Sequence, residues 1–165
     1  MIKTKTLTLR EFDIDDAPFI LELLNDPAWI EFIGDRGVRN LDDAQSYIRE
    51  RLQTSHQDAG FGMWLVEKDG VAIGTCGLLK RDYLDELDIG FAFLPAYRGK
   101  GHAYEAAKGI MAYAKESLKK ERLLAFVSVG NHKSIALLKK LGMQYQRNFK
   151  IPNDDADLEL YEARL

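Results

Sequence analysis

A glycine-rich turn between a strand pattern and a helix pattern is the feature that most constrains the fold of this chain. The turn reads Arg98-Gly99-Lys100-Gly101-His102-Ala103. Apolar residues alternate before it, over residues 87–94, and recur at helical spacing after it, over residues 101–118. A turn that opens a helix leaves backbone N–H groups unpaired beside the positive end of the helix dipole. The sequence therefore predicts a βα unit with a binding site for a phosphate or pyrophosphate.

The length and net charge of the chain indicate how many domains it has and which binding partners are not expected. Its 165 residues, 46% hydrophobic and 30% charged, predict a single domain over residues 1–165. The net charge of −3 argues against a nucleic-acid partner and against binding to an anionic membrane surface.

The cysteine content and the N-terminus bear on the compartment. Cys76 is the only cysteine, so an internal disulfide is impossible, and this usage fits a reducing compartment. Residues 1–5 lack the apolar core of a signal peptide, and no apolar run is long enough to cross a bilayer. We expect a cytoplasmic protein. The three histidines are scattered and show no metal-ligand spacing, so no metal is expected.

The periodicity of the chain predicts a mixed α/β architecture. Strand patterns cover residues 4–10, 61–67, 71–79, 87–94, 123–129, 143–150 and 158–164. Helix patterns cover residues 13–25, 42–54, 101–118 and 131–141. The order is β-α-α-β-β-β-α-β-α-β-β, with hairpins in the middle and at the end and a βαβ crossover between them. This order predicts a central mixed sheet of about seven strands flanked by about four helices on its two faces.

Two common phosphate-binding motifs fit the turn poorly. A dinucleotide-binding motif requires a third glycine where this chain has Tyr104, and it belongs in the first βα unit rather than after four strands. A nucleotide P-loop requires Ser or Thr after its lysine, whereas Gly101 follows Lys100. The first motif stays a weak alternative, and the second is excluded.

Two sequence motifs together resemble those of a known family. Arg98, Gly101 and Ala103 match the turn of the GNAT superfamily of acetyl-CoA-dependent N-acetyltransferases. Asn131-His132-Lys133-Ser134, with residues 137–143 after it, is similar to a helix of the ribosomal-protein (Rim-type) alanine acetyltransferase branch. The opening residues 7–10 resemble that branch as well. The resemblance covers nearly the whole chain and implies the GNAT fold.

This resemblance also implies how acetyl-CoA is bound. Backbone N–H groups of the glycine turn would hold the pyrophosphate. The strand before the turn would pair with the pantetheine arm and separate from the strand over residues 123–129, which would open a slot for the thioester. A strand N–H at the slot would polarise the thioester carbonyl. The implied binding residues are Phe91, Ala92, Phe93, Arg98, Gly99, Lys100, Gly101, His102, Ala103, Asn131 and Ser134.

Each candidate site residue has a structural interpretation beside the functional one. Asn131 is a good helix N-cap, and a cap and a pantetheine ligand are compatible roles. Many superfamily members place a tyrosine, as the acid for the leaving thiolate, where this chain has Leu138. The Rim-type branch places a serine where Ser134 lies, and the resemblance implies a hydrogen bond to the departing sulfur or a water relay as its role. Glu86 and Asp88 are the candidates for the general base, with solvated carboxylates as the alternative.

The predicted function is acetyl transfer to a primary amine by direct attack within a ternary complex. The Rim-type resemblance implies a protein N-terminal α-amine as the acceptor. A small amine, such as a polyamine, an amino acid or an antibiotic, is the alternative within the enzyme class. A non-catalytic CoA-binding sensor is the alternative from another class. A monomer or a homodimer is expected.

Overall fold

The computed structural model describes residues 1–165 and contains one eight-stranded sheet. The sheet order is β1-β2-β3-β4-β5-β6-β8-β7, and every neighbouring pair is antiparallel except β5 and β6, which run parallel. The strands are β1 (Ile2–Lys3), β2 (Thr8–Arg10), β3 (Met63–Lys68), β4 (Val71–Leu79), β5 (Asp88–Phe93), β6 (Arg122–Ser128), β7 (Gln144–Phe149) and β8 (Leu158–Arg164). The predicted mixed sheet is confirmed, with eight strands in place of about seven.

The helices depart from prediction in the first third of the chain. They are α1 (Ala17–Leu24), α2 (Pro27–Phe32), α3 (Leu41–Tyr47), α4 (Thr54–Ala59), α5 (His102–Glu116) and α6 (His132–Lys140). A π-helical segment, Ile48–Gln53, joins α3 to α4, so the predicted helix over residues 42–54 continues to Ala59. Helix α2 was not predicted, because Pro27 was interpreted as a stop signal although it occupies the first helical position. None of these helices has the length and apolar character that a membrane crossing needs.

The two faces of the sheet carry separate apolar cores. The larger core packs α5 and α6 against one face and includes Ile89, Phe93, Ile110 and Leu138. The second core packs the α1–α4 region against the other face. We call these the α5/α6 face and the α1–α4 face. Since side chains alternate along a strand, Asp88, Gly90 and Ala92 of β5 lie on the α1–α4 face.

The first strand is interrupted by a contact from far along the chain. Residues 4–10 were predicted as one strand, but the backbone N–H of Thr4 donates to the Leu7 carbonyl and turns the chain between β1 and β2. Glu105, in the first turn of α5, accepts hydrogen bonds from the Thr4 hydroxyl at 2.6 Å and from the backbone N–H and the hydroxyl of Thr6 at 2.6 and 2.8 Å. The carboxylate therefore fixes the N-terminal segment against α5.

Neutralising Glu105 is expected to destabilise the fold. Burial, the largest single effect, raises the pKa of Glu105, but the hydrogen bonds from Thr4 and Thr6 together outweigh it and leave the pKa below its ordinary value of 4.5. The stabilisation is therefore present above that value and is lost as the pH falls through the folded-state pKa. Glu105→Gln should lower the free energy of unfolding by about 1 kcal/mol in urea melts at neutral pH.

The matched control is Glu116→Gln, which removes an exposed carboxylate from the last turn of the same helix. This variant should unfold like the wild type. The difference between Glu105→Gln and the wild type should shrink below the ordinary pKa of the carboxyl. A difference that persisted undiminished in acid would contradict an ionised Glu105 contact.

Candidate active site

A slot opens between the two parallel strands at the centre of the sheet. Strands β5 and β6 pair only through Asp88 and Leu124, whereas β6 pairs with β8 over seven consecutive residues. Beyond Asp88 the two strands diverge. Although β5 is the fifth of eight strands, Gly90, Phe91 and Ala92 are only half-buried, between the buried residues Ile89 and Phe93. Solvent thus reaches the middle of the sheet along this edge of β5.

The slot presents unpaired backbone groups of β5. The Leu87 carbonyl accepts from the Leu124 N–H at 2.9 Å, and the N–H of Leu94 bonds to the Ile73 carbonyl of β4. Because backbone groups alternate sides along a strand, the N–H and carbonyl of Phe91 point towards β6 and have no partner there. An extended ligand with amide groups has the right chemistry to pair with this edge.

The predicted glycine turn lies at the carboxyl end of the slot strand. Gly99 and Gly101 have φ of +70° and +84°, in the left-handed region that glycine adopts without a steric penalty. A Cβ on either residue would have no heavy atom within 4 Å, so the turn faces open space. Helix α5 begins at His102, which is buried, and Ala103 packs against the larger core. The turn therefore leaves the first N–H groups of a 15-residue helix exposed to a ligand.

Of the two cationic side chains in the glycine turn, one is bound within the chain and one is exposed. The Arg98 Nε donates to the Phe93 carbonyl at 2.9 Å, and its guanidinium forms an ion pair with Asp26. The charge of Arg98 is thus neutralised within the chain. Lys100 is exposed, with its ammonium 6.0 Å from the ring centre of Tyr97. Of the two cations in the turn, only Lys100 is without a carboxylate partner.

Helix α6 begins beside the slot with the predicted cap. The Asn131 side-chain oxygen accepts from the Ser134 N–H at 3.3 Å, which confirms Asn131 as the N-cap. The Ser134 hydroxyl forms no hydrogen bond within the chain, so it is available to a ligand. Leu138, one turn further on, is 2% exposed and belongs to the larger core. No phenol stands at that position.

The structure separates the two candidate bases. Glu86 lies 2.8 Å from the Lys120 ammonium, and the hydrogen bond from that lysine lowers the pKa of Glu86. Asp88 is 3% exposed, and burial raises its pKa although Arg81, whose Nε lies 3.2 Å from the carboxylate, acts in the opposite direction. Asp88 also lies where β5 and β6 diverge. Asp88 is therefore the stronger base of the two.

Several site features were missed by sequence reasoning. The Arg81 guanidinium, which faces Asp88, also stacks 5.2 Å from the ring centre of Phe126 across the slot. Helix α2 spans both diverging strands, since Arg98 joins Asp26 to the end of β5 and the Ser128 hydroxyl of β6 donates to the Phe32 carbonyl at 3.1 Å. No local pattern marks the Arg81–Phe126 stack or the contacts of α2, because they join residues distant in sequence.

The structure brings together no group of three or more His, Cys, Asp or Glu side chains that could hold a metal ion. The fold and the slot suit one class of protein, which binds an extended ligand that carries a phosphate group. The comparisons with known proteins identify the family.

The acetyltransferase (GNAT) domain family matches residues 6–144, and the chain belongs to this family. It is 30% identical over 149 residues, covering 90% of this chain and 85% of the relative, to an uncharacterised N-acetyltransferase, YnaD, of Bacillus subtilis. A GNAT-family acetyltransferase structure from Bacillus anthracis is 25% identical with a TM-score of 0.82, covering 99% and 97% of the two chains. The structure of RimL, the ribosomal L7/L12 α-N-protein acetyltransferase, in complex with coenzyme A is 16% identical with a TM-score of 0.84, covering 98% and 96%. The protein is an N-acetyltransferase.

Proposed function

We propose that this enzyme transfers the acetyl group of acetyl-CoA to the α-amine of a protein or peptide N-terminus. The observation that carries the proposal is the slot, whose unpaired β5 edge leads from the buried carboxylate of Asp88 to the open glycine turn. A pantetheine arm is an extended chain with amide groups, and a pyrophosphate suits the N-terminus of α5. The residues present therefore fit acetyl-CoA, which supplies the acetyl thioester when bound.

The residues around the slot have separate roles in the proposed reaction. Asp88 takes a proton from the attacking amine, whose nitrogen forms a bond to the acetyl carbon as the carbon–sulfur bond breaks. The unpaired N–H of Phe91 stabilises the negative charge that develops on the thioester oxygen. The Ser134 hydroxyl donates a hydrogen bond to the departing sulfur. Asn131 caps α6 and holds Ser134 at the slot.

An α-amine suits this site better than a lysine or polyamine nitrogen. At about pH 7.5, roughly a third of an α-amine is neutral and ready to attack, compared with about 0.1% of a lysine amine. One carboxylate is therefore sufficient for the first acceptor and weak for the second. Two carboxylates that precede β5 form ion pairs, Asp85 with Arg122 and Glu86 with Lys120, so neither is a free negative charge for a polyamine.

The proposal is tested by the release of the CoA thiol from acetyl-CoA with matched acceptors. One peptide carries a free N-terminus and no lysine, a second carries a blocked N-terminus and one lysine, and a third acceptor is a linear polyamine. We expect saturable release with the first, at least about tenfold faster than with the second, since the neutral fractions of the two amines differ by more than that. Faster release with the polyamine would show that the acceptor is a polyamine rather than an N-terminal α-amine. No release with any acceptor would contradict the proposed transfer.

A further inference from the structure

Gly90 occupies the middle of β5 without a structural reason. Its backbone is not in the left-handed region. A Cβ added to Gly90 would meet no atom closer than the Met63 Cε at 4.0 Å, which is ordinary contact. Gly77, its cross-strand partner, is different, because a Cβ there would lie 2.1 Å from the Gly62 carbonyl oxygen. The packing of the chain therefore explains Gly77 and leaves Gly90 unexplained.

The space above Gly90 is on the same face of the sheet as the Asp88 side chain. A glycine within a strand costs stability relative to alanine and often marks a place where a ligand comes close to the backbone. Gly90 is half-buried and lies on the α1–α4 face, between Asp88 and Ala92 on the same strand. The space that its missing side chain leaves is therefore next to the buried carboxylate.

We propose that Gly90 determines acceptor specificity by leaving room for a substituent on the carbon that carries the amine. The inference rests on the proposed function. The attacking nitrogen has to reach both the carboxylate of Asp88 and the slot-facing edge of β5 at Phe91, and Gly90 lies between these two residues. The carbon bonded to that nitrogen must then pass over Gly90. The favoured substrates are branched at this carbon, as every N-terminal residue except glycine is.

The test uses Gly90→Ala and Gly90→Val with two peptides that differ only in their first residue, alanine or glycine. The wild type should acetylate the alanine peptide at least as well as the glycine peptide. Gly90→Ala should lower kcat/KM for the alanine peptide on the order of tenfold and leave the glycine peptide within about threefold, since one methyl group in a closed site discriminates by this order. Gly90→Val should widen the ratio further.

Two further measurements separate this role from damage to the fold. Gly90→Ala should have a melting temperature equal to or above that of the wild type and should keep the Kd for acetyl-CoA. Ile89→Val is the matched control, because Ile89 neighbours Gly90 but packs in the core on the opposite face. It should lower the melting temperature and leave the ratio of the two peptides unchanged.

The outcomes distinguish the inference from the proposed function. A wild type that acetylates both peptides, with an unchanged ratio in Gly90→Ala, would overturn the role of Gly90 and leave the acceptor class standing. A wild type that acetylates neither peptide would overturn both. If the ratio of kcat/KM for the two peptides shifts equally in Ile89→Val, the effect of Gly90→Ala comes from a general change in the strand and the specific role of Gly90 is wrong.

Discussion

Asp88→Asn is expected to lower kcat/KM for the amine acceptor by about 10²- to 10⁴-fold, the usual range for the loss of a positioned general base. The Kd for acetyl-CoA should stay near its wild-type value, because the asparagine keeps the shape of a side chain that lies beside the slot. Steady-state kinetics and equilibrium binding on the same preparations check both statements. The control is Glu86→Gln, which removes the neighbouring carboxylate that Lys120 holds. It should change kcat/KM by less than about threefold.

The pH dependence of the wild type gives a second check on the same residue. A general base acts when it is deprotonated, so activity falls as the pH drops through the pKa of Asp88. Burial raises this pKa above its ordinary value of 3.8. The acid limb of kcat/KM is therefore expected above the range of an exposed aspartate. Protonation of the acceptor amine also lowers activity in acid, so rates are compared at a fixed concentration of neutral amine. After this correction the limb should be absent from the residual activity of Asp88→Asn, and an identical limb in that variant would assign the base to another group.

Gly101→Val is expected to weaken acetyl-CoA binding by on the order of tenfold to a hundredfold, equivalent to about 1.4–2.8 kcal/mol. Gly101 has a φ of +84°, and a β-branched residue there forces the turn to change shape. The N–H groups at the start of α5 would then no longer converge on one ligand. Isothermal titration of the folded variant with acetyl-CoA measures the effect directly.

Gly60→Val separates the loss of the ligand site from backbone strain. Gly60 ends α4 with a φ of +74° and, like Gly101, has no heavy atom within 4 Å of an added Cβ. The two substitutions thus impose similar strain at positions of similar openness. Both should lower the melting temperature, and only Gly101→Val should change the Kd. Equal losses of affinity in the two variants would indicate general destabilisation rather than a phosphate-binding turn.

Local patterns were sufficient where one segment determines its own structure. Alternation and a hairpin turn placed β4 at residues 71–79, and β8 was likewise predicted over its full length, 158–164. Asn131 was correct as a cap because capping depends on residues within one turn. The break between β1 and β2 could not be predicted, since it depends on Glu105, about 100 residues away in sequence.

The active site was predicted in part for the same reason. The glycine turn is local, so its position before α5 followed from the sequence. The divergence of β5 from β6 was predicted only through the family resemblance. The residue pattern of either strand does not show where the pairing of the two strands ends. Glu86 and Asp88 are two residues apart and look alike in sequence. They differ only in their partners, Lys120 and Arg81, and in burial.

The reactivity of the Cys76 thiol reports whether the chain is folded. Cys76 is the only thiol, is fully buried in β4 between Trp64 of β3 and Phe91 of β5, and has a pKa raised by that burial. A buried, protonated thiol reacts slowly with disulfide reagents. In the native protein such a reagent therefore counts released CoA without interference. When the chain unfolds, the same reagent gains one equivalent of thiol per molecule, so a single colour reaction records both turnover and loss of the central sheet.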